Sequence, residues 1–280
     1  KARLTAQDQD GIAAEVIYPS LGLFLCNHAD PGYKDACFAS YNAWMAEFCS
    51  GAPNRLIGLG QTAMSSPEQG VEDLKKIKAL GLKGVMLPGI PCQADYDHRM
   101  YDPVWEKAVE LDLPLSFHIL TYKDGITTAR GPKVNNFMNT MRGNQDLIGV
   151  TIFGGVFDRV PELKMVCVEA DAGWVPHYQY RMDHAMEKNG VLLGNWPLKK
   201  KPSEYFHDNI YVTFQDDHVA FRLMHMLNPK RMMWANDYPH MDSTWPDSQA
   251  LLEKHTMLLT QEQRDDVLHN NCAELYKVKL

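Results

Sequence analysis

The chain has 280 residues, 45% of them hydrophobic, and carries a formal net charge of -7. That apolar fraction can fill one large core, so a single domain over residues 1–280 is expected. The negative charge argues against nucleic acid or an acidic membrane surface as a partner.

A polar, helix-compatible opening over residues 1–10 ends at Gly11, and the first β-branched run follows at 13–18. Cys37 and Cys49 fall in the helical stretch after it, and the second strand occupies 56–62. Ser66-Pro67 then supplies an N-cap and a first-turn proline to a helix carrying Val71, Leu74 and Ile77. Gly81 and Gly84 punctuate the return to a strand at 84–87. Asp102-Pro103 opens a helix with Val104, Ala108, Val109 and Leu111, and a strand follows at 115–119. The longest apolar run, 147–157, is too short to cross a bilayer, contains Gly154 and Gly155, and reads as a buried helix. Next come a strand at 165–169 and a helix at 174–186. Lys199-Lys200-Lys201, beside Pro197 and Pro202, reads as a solvated loop. A strand at 210–214, a helix at 218–227 and a strand at 231–235 complete the series. The six cysteines include no C-x-x-C pair, and with no signal-peptide pattern at the start they fit reduced thiols in a cytoplasmic protein.

Continuous apolar strands alternating with helices imply a mainly parallel sheet covered by helices. A (β/α)8 TIM barrel is favoured over an open doubly wound sheet. The chain has no glycine-rich phosphate turn, and polar residues recur just past strand ends. Seven strands are visible, not eight, as if the chain enters at the barrel's second strand.

Two strands end in metal-ligand side chains. Leu115-Ser116-Phe117 runs into His118, and Met232-Met233-Trp234-Ala235-Asn236 runs into Asp237, after which Pro239 stops any further ladder. His118 shares parity with Ser116, and Asp237 with Ala235 and Met233, so both are expected to point into the barrel. A parallel barrel delivers every strand's C-terminal end to one mouth, where they meet. A buried carboxylate there needs a cation or donors. His with Asp is an N/O ligand set for zinc or a similar divalent ion; taken alone, His118 also reads as a hydrogen-bonded core histidine.

Several pieces, in order, carry a resemblance: Pro114-Leu115-Ser116-Phe117-His118, Gly155-Val156-Phe157-Asp158-Arg159-Val160-Pro161-Glu162-Leu163-Lys164, Glu169 through Gly173-Trp174-Val175-Pro176, Arg181-Met182-Asp183, Asn236-Asp237-Tyr238-Pro239-His240 with Asp242, and Asn271-Cys272-Ala273-Glu274-Leu275-Tyr276. Together they resemble the amidohydrolase-related family (family 2 of the amidohydrolase superfamily), in the branch that includes aminocarboxymuconate semialdehyde decarboxylase. The resemblance implies that His118 is the histidine ligand ending the fifth strand. It implies that Asp237 is the eighth-strand aspartate that touches the metal and moves protons. It also implies an H-x-H or E-x-H pair on a first strand, which this chain lacks, so residue 1 is expected to lie inside a longer parent.

Many relatives place a histidine on the sixth strand, where this chain has Glu169-Ala170-Asp171. Glu169 is read as a proton carrier or as a brace for a ligand, with His177 as a fallback general base. His240 and Asp242 are candidates for lining a substrate pocket, Asp242 alternatively for capping a helix. Trp174 and Trp245 are pocket walls or packing, and Arg181 with Asp183 an ion pair or an interface contact. The favoured activity is non-oxidative decarboxylation of a small cyclic or aromatic carboxylate, with a divalent metal as cofactor, zinc ahead of manganese. Hydrolysis of a small ring, ester or amide by metal-activated water is the alternative, and an inactive barrel the second. A homodimer is expected from the resemblance.

Overall fold

The computed structural model describes residues 1–122, 131–194 and 198–278; Pro197, beside the lysine run, lies outside them. Every stretch read as a strand contains one; 210–214 keeps its full length, 56–62 is split in two, and the others are trimmed at their ends. The segments are β1 (Glu15–Ile17), β2 (Leu56–Gly58), β3 (Gly60–Gln61), β4 (Val85–Leu87), β5 (Leu115–His118), β6 (Met165–Val168), β7 (Ile210–Phe214) and β8 (Met232–Trp234). Only Leu59 separates β2 from β3, so the eight ladder segments form seven strands. All pairings are parallel, β1 with β2 and then β3 through β8 in sequence order.

The helices fall between the strands: α1 (Ala2–Asp10), α2 (Leu21–Leu25), α3 (Pro31–Ser50), α4 (Pro67–Ala79), α5 (Asp102–Glu110), α6 (Arg142–Phe153), α7 (Val156–Arg159), α8 (Val175–Asn189), α9 (Pro202–Asn209), α10 (His218–Arg222), α11 (Ser248–His255), α12 (Gln261–Asp265) and α13 (Asn271–Tyr276). The α4 start follows its sequence signal. Ser66 Oγ accepts from Gln69 N–H at 3.2 Å, with Glu68 in the first turn and Lys76 and Lys78 in the last to complement the helix dipole. Residues 147–157 divide between α6 and α7, broken at Gly154 and at Gly155, whose φ of 70° is left-handed.

Period-two alternation sorts the strand residues into two layers. Leu115, Phe117, Met165, Cys167, Ile210, Val212 and Phe214 pack outward under helix residues such as Val104, Trp105, Ile148 and Phe157. Ile57, Leu59, Val166, Val168, Tyr211 and Met233 form a separate inner cluster with Leu275 and Tyr276 of α13. Side chains of β2 and β8 can share one cluster only if the sheet curls around it, and that curl makes the barrel. The Tyr18 hydroxyl, just past β1, also reaches Ser116 Oγ on β5 at 2.9 Å across the interior.

Among the described residues no ladder joins β8 to β1. α1 lies across that interval. Arg3 pairs with Glu15 and donates to the Tyr238 carbonyl at 3.1 Å. Buried Asp10 accepts from Ser248 N and Asn236 Nδ2, each at 3.0 Å. These contacts tie the β1 edge to the segment leaving β8, and so fix where Asp237 emerges.

Candidate active site

His118 is 4% exposed at the end of β5. Its Nδ1 lies 2.9 Å from the Ile119 carbonyl, which only accepts, so the imidazole hydrogen is assigned to Nδ1. The Nε2 lone pair then faces Glu169 Oε2 at 2.9 Å. Two lone-pair atoms this close are satisfied by one shared proton or by one cation. The Tyr18 ring, 5.5 Å away centroid to centroid, backs the imidazole.

The strand exits that carry these groups have unusual backbone. Leu120 (φ 68°), Glu169 (57°), Asp171 (53°) and Asp237 (57°) are all left-handed without being glycine. Such conformations persist only where the surroundings over-determine them. For β6 the restraint is visible. Glu169 N–H donates to Thr213 Oγ1 at 3.0 Å. Asp217 Oδ2 accepts from Ala172 N at 2.8 Å and Gly173 N at 2.6 Å, while its Oδ1 accepts from Ala220 N at 3.0 Å. One buried carboxylate thus caps α10 and holds the β6 turn. Asn144 helps from α6, with Nδ2 donating to the Val168 carbonyl at 3.1 Å.

Asp237 Oδ1 sits 3.2 Å from His240 Nδ1. Burial, then the charge of Glu169, pushes the Asp237 carboxyl up to about 6, against the pull of His240 and His118. Glu169, Asp237 and His240 each offer a ligand atom within 4.8 Å of the others. With His118 Nε2 beside Glu169, this N/O donor set fits a divalent cation. Asp171 is raised too, by burial and then by Asp217, Asp242, Asp216 and Glu169, which together make the mouth strongly negative. A cavity of about 270 Å³ between α3 and α4, lined by Asp35, Asn42, Asp73 and Lys76 among others, includes none of these groups and lies apart from this chemistry.

The structure therefore brings together His118, Glu169, Asp237 and His240. Asp242 stands beside them, held by Gln215 Nε2 at 3.0 Å, and caps no helix among the described residues. His177 is not with them; it is exposed on α8 against the Tyr180 ring. Trp174 points its indole N–H back to the Ala170 carbonyl at 2.7 Å and packs on Tyr178 and Phe206. It pins the β6 turn from the helix side. Trp245 likewise donates to the Ala6 carbonyl and braces α1. Asp183 accepts from Ser203 at the start of α9, and among the described residues Arg181 makes no ion pair with it.

Asp217, Thr213 and Asn144 were not legible as site residues. Asp217 carries one local signal, an acid directly before a helical run. Asp217→Ala is expected to strand three N–H donors, those of Ala172 and Ala220 buried and that of Gly173 part-buried, and to lower stability by about 2–3 kcal/mol or more. It should also weaken metal binding, with Asp217→Asn recovering part of both in urea melts and metal titrations. Unchanged metal affinity in a folded Ala variant would remove its role in holding Glu169.

A family model described as Amidohydrolase matches residues 27–278. The gamma-resorcylate decarboxylase of Polaromonas sp. strain JS666 is 26% identical over 219 residues, 71% of this chain and 64% of that protein. The chain thus spans just under two thirds of that relative's length. The crystal structure of 5-carboxyvanillate decarboxylase from Sphingomonas paucimobilis shares the fold, with a TM-score of 0.82 at 22% identity over 100% of this chain and 83% of that one. So does dihydroxybenzoic acid decarboxylase from Polaromonas sp. JS666 with bound manganese, with a TM-score of 0.79 at 22% identity over 99% of this chain and 85% of that one. The family match takes in seven of the eight ladder segments and every residue of the His118–Glu169–Asp237–His240 group, and the chain belongs to the amidohydrolase family.

Proposed function

We propose that this chain is a metal-dependent carboxy-lyase that removes carbon dioxide, without net oxidation, from a small hydroxylated aromatic carboxylate of the dihydroxybenzoate class. The observation that carries the reading is the meeting of His118, Glu169, Asp237 and His240 at one mouth. The names of the relatives favour decarboxylation over hydrolysis. His118, Glu169, Asp237 and His240 would hold the ion; their donors suit zinc, and manganese is the metal in the related Polaromonas structure. When bound, such an ion supplies positive charge that orients the substrate's carboxylate and phenol oxygens and stabilises charge gathering on them.

The chain's own residues supply the proton. Asp237, its carboxyl raised to about 6 in the metal-free chain, is protonated in a minority of molecules at neutral pH, and that protonated form serves as the general acid. It delivers that proton to the ring carbon bearing the carboxylate; a C–H bond forms, the bond to the carboxylate breaks, and carbon dioxide leaves. His240, 42% exposed at its side chain and 3.2 Å from Asp237, returns a proton from solvent. Glu169 stays fixed by Thr213 and the Asp217-held turn, keeping the His118 imidazole oriented.

The test uses protein reconstituted with zinc or manganese and a panel of hydroxybenzoates in heavy water. The expected result is carbon dioxide release, with one deuterium on the carbon that lost the carboxylate. Turnover of lactones or esters instead would make the chain a hydrolase, and failure to bind metal would make it an inactive barrel. A homodimer on sizing and residence in a reducing compartment belong to the same reading. The six cysteines are free, and among the described residues no helix is long and apolar enough to cross a membrane.

A further inference from the structure

Lys34 is a cation in a place that gives it little. It lies on α3, 4% exposed, and among the described residues its Nζ has hydrogen-bond partners only in the Cys26 carbonyl oxygen at 3.4 Å and Cys92 Sγ at 3.5 Å. Among the described residues no carboxylate is within ion-pair distance of it. A buried ammonium with such partners is costly, so its placement beside sulfur calls for an explanation. Cys92, in the segment leaving β4, has the complementary setting. It is exposed, and among the described residues its Sγ has one other hydrogen-bond partner, the Ala63 carbonyl at 3.6 Å. One side of this thiol is open to small solutes while the other rests on a buried nitrogen nucleophile.

The geometry points to a modification site: Lys34 captures oxidised Cys92 as a covalent N–S cross-link between α3 and the β4 exit, with a peroxide as the oxidant. Hydrogen peroxide transfers one oxygen to Sγ, the thiol becomes a sulfenic acid, and water leaves. The Lys34 ammonium gives one proton to solvent, and the freed Nζ lone pair attacks the sulfur. The N–S bond forms as the S–O bond breaks, and hydroxide departs with a second nitrogen-bound proton as water. Sulfur is oxidised by two electrons, peroxide is reduced by two, and nitrogen keeps one hydrogen.

Cys26 is not the competing nucleophile. It is 5% exposed, and burial pushes its thiol up to about 12 against the opposing charge of Lys34. The Lys34 contact to the Cys26 carbonyl joins the end of α2 to the same place. The cross-link therefore ties the segment after β1 to the segment after β4. The first of these segments includes Ser20, whose Oγ lies 3.5 Å from His240 Nε2. Oxidation would tether one wall of the mouth without using any metal-binding side chain.

The experiment treats the folded chain with hydrogen peroxide, digests it without reductant and maps the peptides by mass. The expected product joins the Lys34 and Cys92 peptides with a net loss of two hydrogens, and dithiothreitol separates them. The thermal midpoint of the treated protein should rise, because the link closes a long loop. Lys34→Met should abolish the joined pair and let Cys92 proceed to sulfinic acid, and Cys92→Ser should abolish it outright. Sulfinic acid at Cys92 with free Lys34 in the wild type, or a Cys26–Cys92 disulfide, overturns the proposal. If Lys34→Met fails to fold, the wild-type map and Cys92→Ser still decide.

Discussion

Asp237→Asn is expected to lower turnover by roughly 10²–10⁴-fold while leaving a folded protein. In metal-free protein it should be more stable than the parent at pH 8. Asn matches the shape of Asp and tolerates the left-handed backbone at φ 57°, so the variant separates chemistry from fold. The pH dependence has a definite sign. The carboxyl is raised from 3.8 to about 6 in the folded chain. Between those values the unfolded chain has already lost its proton while the folded chain retains it, so stability falls as pH rises through that window and then levels off. A shift of about two units corresponds to roughly 2–3 kcal/mol, and the Asp237 side chain is only 13% exposed, so screening removes little of it. Urea melts of chelator-treated wild type and variant at pH 4 and pH 8 check this. Retained turnover would take Asp237 out of the mechanism, and a variant weaker than wild type at pH 8 would refute the electrostatic account.

His118→Ala is expected to lower metal affinity by more than the roughly 10–100-fold typical of losing a supporting residue. The imidazole is buried, its Nδ1 is committed to the Ile119 carbonyl and its Nε2 to Glu169, so its only lone pair faces the mouth. Deletion removes that donor and leaves the Glu169 carboxylate partly buried without its partner. It also leaves a void beside the Tyr18 ring, so a loss of about 1–3 kcal/mol in stability should accompany it. Elemental analysis after reconstitution reads the first effect and thermal melts the second. Unchanged metal content with lowered stability would make His118 a packing residue.

The strands were legible because a parallel sheet buried on both faces leaves continuous β-branched runs bounded by turn residues. Each of the seven runs appears in place, and α4 begins where Ser66 and Pro67 predict. That His118 and Asp237 lie at the same mouth was legible for a related reason, since a side chain directly after an apolar run has one topological address in a barrel. The places of Trp174 and His177 were not. Both follow β6 closely in sequence, but the turn held by Asp217 sends the indole back onto Ala170 and carries the histidine out onto the surface of α8.

The amino-acid order by itself determined the alternation of strands and helices and the placing of His118 and Asp237 directly after apolar runs, because these depend on local propensity and on spacing along one element. Only the tertiary structure decided that Glu169 faces His118 at 2.9 Å, that Asp217 holds the turn after β6, and that a buried Lys34 lies against an exposed Cys92. Those pairings join residues about 45 to 60 positions apart through side-chain hydrogen bonds and backbone angles. No periodicity along the chain encodes such contacts; the closing of the sheet creates them.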